Sequence, residues 1–390
     1  MTTVEWQRGP RALSGPGALA GLGPEATTLA GSGAAVLLVA DPGVPALADI
    51  AESHLASAGL AVLRYAEVTG DPKAAQVEAA AELARAKAVR LVVGLGGGSA
   101  LDVAKLAGAV AGAAAPVLDY ALAARPLPPG ALPVIAVPTT AGTGSEATRV
   151  AIFSRPDAEG GGDAKVWAWG PELQPRVAIL DPEMTVGLPA SLTAATGIDA
   201  LVHAIEAATN RNAHSFSQAP ALEAVRLIAR SLRRAVARGD DLEARGEVQL
   251  AAFLAGQAID TAGTGVAHAL GHALGSLAGV HHGRAVGLSL AVALQSNAEV
   301  APAHHGAVAR AMGVEGGDAQ AAGQLAGRYE RLLEEVGLDR DLSGLGLDPN
   351  RLAQEAGKPE NAPMLASNCR TYSEGELNEL CRRLLTAGAA

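Results

Sequence analysis

The chain has 390 residues, more than one hydrophobic core ordinarily serves, and 49% hydrophobic against 18% charged residues excludes a disordered chain and predicts two folded domains. A formal net charge of −10, with no basic run long enough to follow a phosphate backbone, argues against nucleic acid and against an anionic membrane surface, which leaves small-molecule chemistry. The opening MTTVEWQRGPRALSGPG has no apolar run of a secretory leader, and no stretch of about 20 residues is apolar without Gly, Pro or charge, so a cytoplasmic protein without a membrane span is expected.

In chain order, AAVLLVA (34–40), LAVLRY (60–65), RLVVGL (90–95), PVIAVP (133–138), RVAIF (149–153) and RVAIL (176–180) read as strands. Amphipathic patterns such as PALADIAESHLASAG and KAAQVEAAAELARAKA lie between the early ones, so the strands are expected to be parallel and covered by helices on both faces. After DPEMTVGLP (181–189) the strand signals cease and helical patterns follow one another, for example ALEAVRLIARSLRRAVARG and EVQLAAFLAGQAIDTAG. The predicted organisation is an α/β domain over 1–188 and an all-α domain over 189–390, with helices dominating. Cys369 and Cys381 stand twelve apart near the end of the chain and read as ordinary thiols.

VVGLGGGSALDVAKLAG (92–108) is a buried strand, a glycine run and a helix opening with Ser99 and Asp102. Bare backbone at a helix N-terminus suits a diphosphate, although a tight strand-to-helix turn without a ligand explains the same residues. VPTTAGTGSEATR (137–149) repeats the plan with hydroxyls at Thr139, Thr140, Thr143 and Ser145, which suit ribose and phosphate oxygens or cap their own turn. Asp41, at the end of the first long strand, can accept hydrogen bonds from an adenosine ribose diol and would repel a 2′-phosphate, which favours NAD over NADP. The alternative is a turn-forming Asp-Pro-Gly.

In TGIDALVHAIEAATN (196–210) Asp199 and His203 are four apart and share one helix face; His268 and His272 repeat that spacing in HALGH, and His282 follows fourteen residues after His268. One carboxylate and three imidazoles converging would make a divalent-metal site suited to Fe²⁺ or Zn²⁺. Each histidine alone could be a packed, hydrogen-bonded core residue, but burying several without partners costs roughly 1 to 3 kcal/mol each. There are five candidates for four positions, and spacing does not say which is spare. His281, His304 and His305 receive no role, and His54 and His214 read as surface or packing residues.

These blocks resemble the iron-containing (group III) alcohol dehydrogenases: GGGSALDVAK the family's phosphate-binding stretch, PTTAGTGSE its nicotinamide-side loop, and GIDALVHAIEA with HALGHALG and HHG its metal signature. The resemblance runs from about residue 9 to the end of the chain. It implies an N-terminal Rossmann-like domain and a helical metal-binding domain, dehydroquinate synthase-like in plan, with the active site in the cleft. By position it makes Asp199, His203, His268 and His282 the metal ligands and leaves His272 as an unligated proton carrier. It also places Gly97, Gly98 and Ser99 on the diphosphate, Thr139, Thr140 and Thr143 on the nucleotide, Asp41 on the adenosine ribose and Lys165 on the nicotinamide side.

The departures are Asp71 where the family often has Asn before Pro, Ile259 and Thr261 for an aromatic and an Asn, and Asn368, Cys369, Arg370 for Asn-Pro-Arg. They point to an altered substrate pocket around unchanged chemistry. The expected reaction is hydride transfer between an alcohol and NAD, giving an aldehyde or ketone, by a homodimer acting on a small molecule. A dehydroquinate synthase-like lyase or cyclase would place Lys and Arg near the site, a maleylacetate reductase would not require the Asp/His set, and a nucleotide sensor would have no use for it.

Overall fold

The computed structural model describes residues 9–156 and 163–386, so 1–8 of the opening stretch and 157–162 of the segment SRPDAEGGGDAKVWAWG lie outside the described residues. They form two compact units, one ending at Gly187 and one beginning at Leu188.

The first unit runs β1 (Arg11–Ser14), α1 (Leu22–Ala30), β2 (Ala35–Ala40), α2 (Pro45–Ser57), β3 (Ala61–Tyr65), α3 (Ala74–Ala86), β4 (Leu91–Gly96), α4 (Gly98–Val110), β5 (Val134–Pro138), β6 (Val150–Pro156), β7 (Asp163–Trp169) and β8 (Val177–Leu180). Six strands form a parallel sheet in the order β1-β8-β5-β4-β2-β3. Successive side chains of a strand face opposite ways, and in the inner strands β2, β4, β5 and β8 both faces are buried. Leu37, Val39, Val92 and Val134 pack with Val77, Ala81, Val103 and Leu106 of α3 and α4 on one face. Val36, Leu38, Leu91, Val93 and Ile135 pack with Leu22, Ala26, Ala51 and Leu55 of α1 and α2 on the other. Each such Val, Leu or Ile side chain contributes about 1.5 to 3 kcal/mol relative to exposure, and burial of both faces is why continuous apolar runs, not alternating ones, mark these strands.

Two features depart from the sequence reading. RVAIF does not join the parallel sheet; as β6 it pairs antiparallel with β7, Ile152 opposite Trp167. Its Ala151 and Phe153 are buried with the α3 and α4 residues, so the hairpin covers that side of the unit. RALS, too short and polar to read as a strand, is β1, held at the sheet edge by pairing Ala12 with Ala178 of β8.

The second unit contains α5 (Ala190–Thr209), α6 (Ser215–Ala237), α7 (Leu242–Ala262), α8 (Val266–Ala278), α9 (His282–Val300), α10 (Pro302–Ala311), α11 (Asp318–Glu335), α12 (Pro349–Ala356), α13 (Ala362–Ser367) and α14 (Glu374–Thr386), with no strand among the described residues. From Thr193 to Thr209 every residue of α5 is buried, and α6, α7 and α9 pack around it. The scarcity of large side chains lets them close in: a methyl group on Gly283 of α9 would overlap the Ala195 carbonyl of α5. Among the described residues no helix is long and apolar enough to cross a membrane.

Candidate functional site

α5, α8 and the first turn of α9 bring four sequence-predicted residues to one place. Asp199 and His203 lie one turn apart on α5, and the His203 Nε2 is 3.9 Å from Asp199 Oδ1. His268 of α8 sends its Nε2 to 3.9 Å from the same oxygen. Gly279, in the left-handed region at φ 65°, ends α8, and the reversal returns His282 with its Nε2 3.5 Å from Asp199 Oδ1. Asp199, His268 and His282 offer donor atoms that all lie within 4.8 Å of one another. His203 joins them through Asp199 and by stacking its ring on that of His268, centroids 4.5 Å apart.

Asp199, His203 and His268 are buried, whereas His282 is 30% exposed and opens one side of the group. Asp199 Oδ1, His268 Nε2 and His203 Nδ1 are buried without a hydrogen-bond partner. The other nitrogen of His268 is held, its Nδ1 2.6 Å from the buried Glu206 Oε2. Burial pushes the Glu206 carboxyl up to about 7 and the His268 imidazole down to about 3.

His272 stands apart from this group. Its ring is 6.2 Å from that of His268 and 5.4 Å from that of His282, and its Nδ1 is 3.3 Å from Asn361 Oδ1. Asn361 donates its amide N–H to the Glu355 carbonyl at 3.1 Å, so its oxygen is the atom facing the imidazole. His305 is fully buried in α10 with its Nδ1 2.9 Å from the Ala301 carbonyl, and His214 caps α6 by accepting from the Phe216 N–H at 3.2 Å.

In the first unit, the C-terminal ends of β2, β4 and β5 lie side by side, and the chain turns outward to β3 on one side of β2 before returning to β4 on the other. Such a switch point is where open α/β sheets bind ligands. Asp41 follows β2; Gly97 and Gly98 follow β4; Thr139, Thr140 and Thr143 follow β5. The backbones crowd: Gly96, at φ 146°, has no room for a side chain because a methyl there would sit 2.6 Å from Asp41 Cβ, and one on Gly98 would sit 2.7 Å from Thr143 Cγ2. No side chain caps the amides at the start of α4, where Gly97 is the N-cap.

The turn-forming alternatives are also present: Asp41 Oδ1 accepts from the Gly43 N–H at 2.8 Å and Thr143 Oγ1 from the Ser145 N–H at 3.3 Å. Ser99 donates to the Gly70 carbonyl at 3.2 Å, and the next residue, Asp71, pairs with Lys73 at 2.7 Å and lies 3.8 Å from Lys165 of β7. Burial would raise the Asp71 carboxyl, but Lys73, Lys165 and Ser154 outweigh it and hold it below its ordinary value.

Lys105 and Asp102, the charged residues of GGGSALDVAK, are buried under the cradle. The Lys105 ammonium donates to the Ser145 carbonyl at 2.9 Å, to its hydroxyl at 3.0 Å and to the Val150 carbonyl at 2.5 Å. Asp102 accepts from the Ser145 hydroxyl at 2.6 Å and the Ile152 N–H at 3.0 Å. These bonds tie α4 to the loop that carries the threonines.

A family model described as "iron-containing alcohol dehydrogenase" matches residues 9–182, and one described as "Fe-containing alcohol dehydrogenase family, C-terminal" matches 193–385. The chain belongs to the iron-containing alcohol dehydrogenase family. Within it, a 1,3-propanediol dehydrogenase of Citrobacter freundii is 36% identical over 382 residues, 95% of each chain. The crystal structure of a 1,3-propanediol oxidoreductase has a TM-score of 0.90 at 33% identity, covering 98% of this chain and 100% of that one. A sulfoacetaldehyde reductase from Bifidobacterium kashiwanohense in complex with NAD⁺ has a TM-score of 0.88 at 26% identity, covering 99% and 100%.

The donor set fits the cation of an iron-containing alcohol dehydrogenase. Two ligands bound at about 2.1 Å to a tetrahedral ion stand about 3.4 Å apart. The separations of 3.5 to 3.9 Å around Asp199 Oδ1 lie just above that, and the unpartnered Asp199 Oδ1 and His268 Nε2 are the atoms such an ion would satisfy. The sequence reading missed Glu206, Asn361 and the Lys105 network. Glu206, a lone carboxylate among apolar residues three positions after His203, was the one visible signal.

Proposed function

We propose that this chain is an NAD-dependent, divalent-metal-dependent alcohol dehydrogenase or aldehyde reductase. Asp199, His203, His268 and His282 hold the ion, Fe²⁺ or Zn²⁺. Gly97, Gly98 and Ser99 hold the NAD diphosphate, Thr139, Thr140 and Thr143 the nucleotide, Asp41 the adenosine ribose, and Lys165 the nicotinamide side. The observation that carries the reading is the convergence of three imidazole Nε2 atoms on the buried, unpartnered Asp199 Oδ1 at 3.5 to 3.9 Å. When bound, a divalent cation supplies Lewis acidity to a substrate oxygen and NAD supplies the hydride acceptor.

The chain's own contribution is orientation and proton handling. His272 directs Nδ1 at the Asn361 oxygen, so its neutral ring carries the proton there and keeps a lone pair on Nε2. That suits it to take the alcohol proton and pass it on without entering the ligand set.

The test is the chain reconstituted separately with Fe²⁺ and Zn²⁺ and assayed on primary and secondary alcohols with NAD and with NADP, alongside His272→Ala. The expected result is NAD reduction that depends on the metal, and a His272→Ala variant that keeps its metal while losing roughly 10² to 10⁴ in kcat. Failure of every alcohol and aldehyde with both metals would overturn the activity. A metal-free His272→Ala would make His272 a ligand.

A further inference from the structure

Glu206 is 3% exposed in the all-buried span of α5, where an unpaired carboxylate would be costly, and both of its oxygens are engaged on α8. Oε1 accepts the Ala267 N–H at 2.8 Å, and Oε2 lies 2.6 Å from His268 Nδ1. A second side chain holds the same turn: Asn368 Oδ1 accepts the Val266 N–H at 3.2 Å, and Asn368 is itself fixed by a reciprocal amide pair with Asn297 at 3.0 and 3.1 Å. Gly265 stands between them. A methyl group there would come within 2.8 Å of both Glu206 Oε1 and Asn368 Oδ1, so the approach of the two oxygens requires a residue without a side chain.

The carboxylate thus meets the electropositive end of α8 and its first imidazole together. An acceptor at Nδ1 places the ring proton there and leaves the lone pair on Nε2, the nitrogen that is buried, unpartnered and 3.9 Å from Asp199 Oδ1. We propose that Glu206 is a positioning residue for the metal, fixing both the tautomer of His268 and the placement of the helix that carries it. This rests on the reading that Asp199 and the histidines hold a divalent ion. Asn368 shares the helix-capping duty but does not touch the imidazole, which separates a metal-directed role from a merely structural one.

The test titrates the full-length chain with Co²⁺ and with Zn²⁺ in competition with a chelator, recording the visible Co²⁺ bands, for wild type, Glu206→Gln, Glu206→Asp and Asn368→Ala. An amide can offer its oxygen to only one of the two N–H groups, so Glu206→Gln should weaken metal binding 10- to 100-fold and shift the Co²⁺ bands. Glu206→Asp, which keeps the charge with a shorter reach, should fall between it and wild type and keeps the test open if the Gln variant does not fold. Asn368→Ala should lower the melting temperature of the metal-free chain while changing metal affinity less than about threefold. A wild type that binds neither ion would overturn the metal reading itself. Wild-type affinity and bands in both Glu206 variants, or an equal loss of affinity in Asn368→Ala, would overturn the role of Glu206.

Discussion

Gly283, immediately after His282, gives a perturbation that touches no donor atom. In Gly283→Ala the new methyl would overlap the Ala195 carbonyl oxygen and lie 2.8 Å from its carbon and 3.3 Å from Asp199 Cβ. Carbon contacts settle at about 3.5 to 4.0 Å, so the first turn of α9 must retreat from α5 by about 1 Å. His282 moves with it, and its 3.5 Å separation from Asp199 Oδ1 widens toward about 4.5 Å if the shift runs straight back. Two donors bonded to one ion at about 2.1 Å cannot be more than about 4.2 Å apart, so the variant either loses His282 as a ligand or strains the site. The overpacking itself should cost about 1 to 3 kcal/mol. The assay is unfolding by denaturant with and without Zn²⁺. The metal-free variant should be less stable than wild type, and at saturating metal it should gain at least about 1.4 kcal/mol less from the ion, the equivalent of a tenfold weaker Kd. Equal stability and an equal gain from Zn²⁺ in both proteins would refute the claim that α5 and α9 share the site at this spacing.

Two further outcomes follow from the first unit. If Asp41 faces the adenosine ribose as proposed, Asp41→Gly should raise the use of NADP relative to NAD at least about tenfold, or about 1.4 kcal/mol, because a carboxylate there would repel a 2′-phosphate; the ratio of kcat/KM for the two cofactors measures it, and a wild type already indifferent between them would remove Asp41 from the ribose. Burial raises the Glu146 carboxyl from 4.5 to about 7, so between those values the folded chain holds a proton that the unfolded chain has released, and stability falls as pH rises through that window. Glu146→Gln should remove a contribution on the order of 3 kcal/mol from that decline, as denaturant unfolding at pH 5 and pH 8 would show, and an unchanged pH profile would contradict it.

What was legible in the sequence was what local periodicity or spacing encodes. The central strands were visible because both of their faces are buried, which leaves runs such as AAVLLVA without alternation. The two i, i+4 pairs on α5 and α8 were visible because a helix puts such residues on one face. RALS was missed because edge pairing to β8, not its own composition, makes it a strand, and the antiparallel partner of RVAIF lay in a segment whose Gly, Pro and Trp content hid it. The supports of the site escaped for a different reason. His272 meets Asn361 across 89 positions, and Val266 meets Asn368 across 102, distances at which a single sequence carries no pairing signal.

The most direct measurement is the metal content, by elemental analysis, of wild type and His268→Ala purified after loading with Fe²⁺ or Zn²⁺, with NADH binding followed in parallel by fluorescence. His268 has its Nδ1 2.6 Å from Glu206 Oε2 and turns its Nε2 to 3.9 Å from Asp199 Oδ1, which makes it the proposed ligand most tightly built into the site. About one ion per chain in wild type is expected, with the ion absent from His268→Ala, turnover abolished and NADH still bound. An unchanged metal content in His268→Ala would contradict the account by removing His268 from the site.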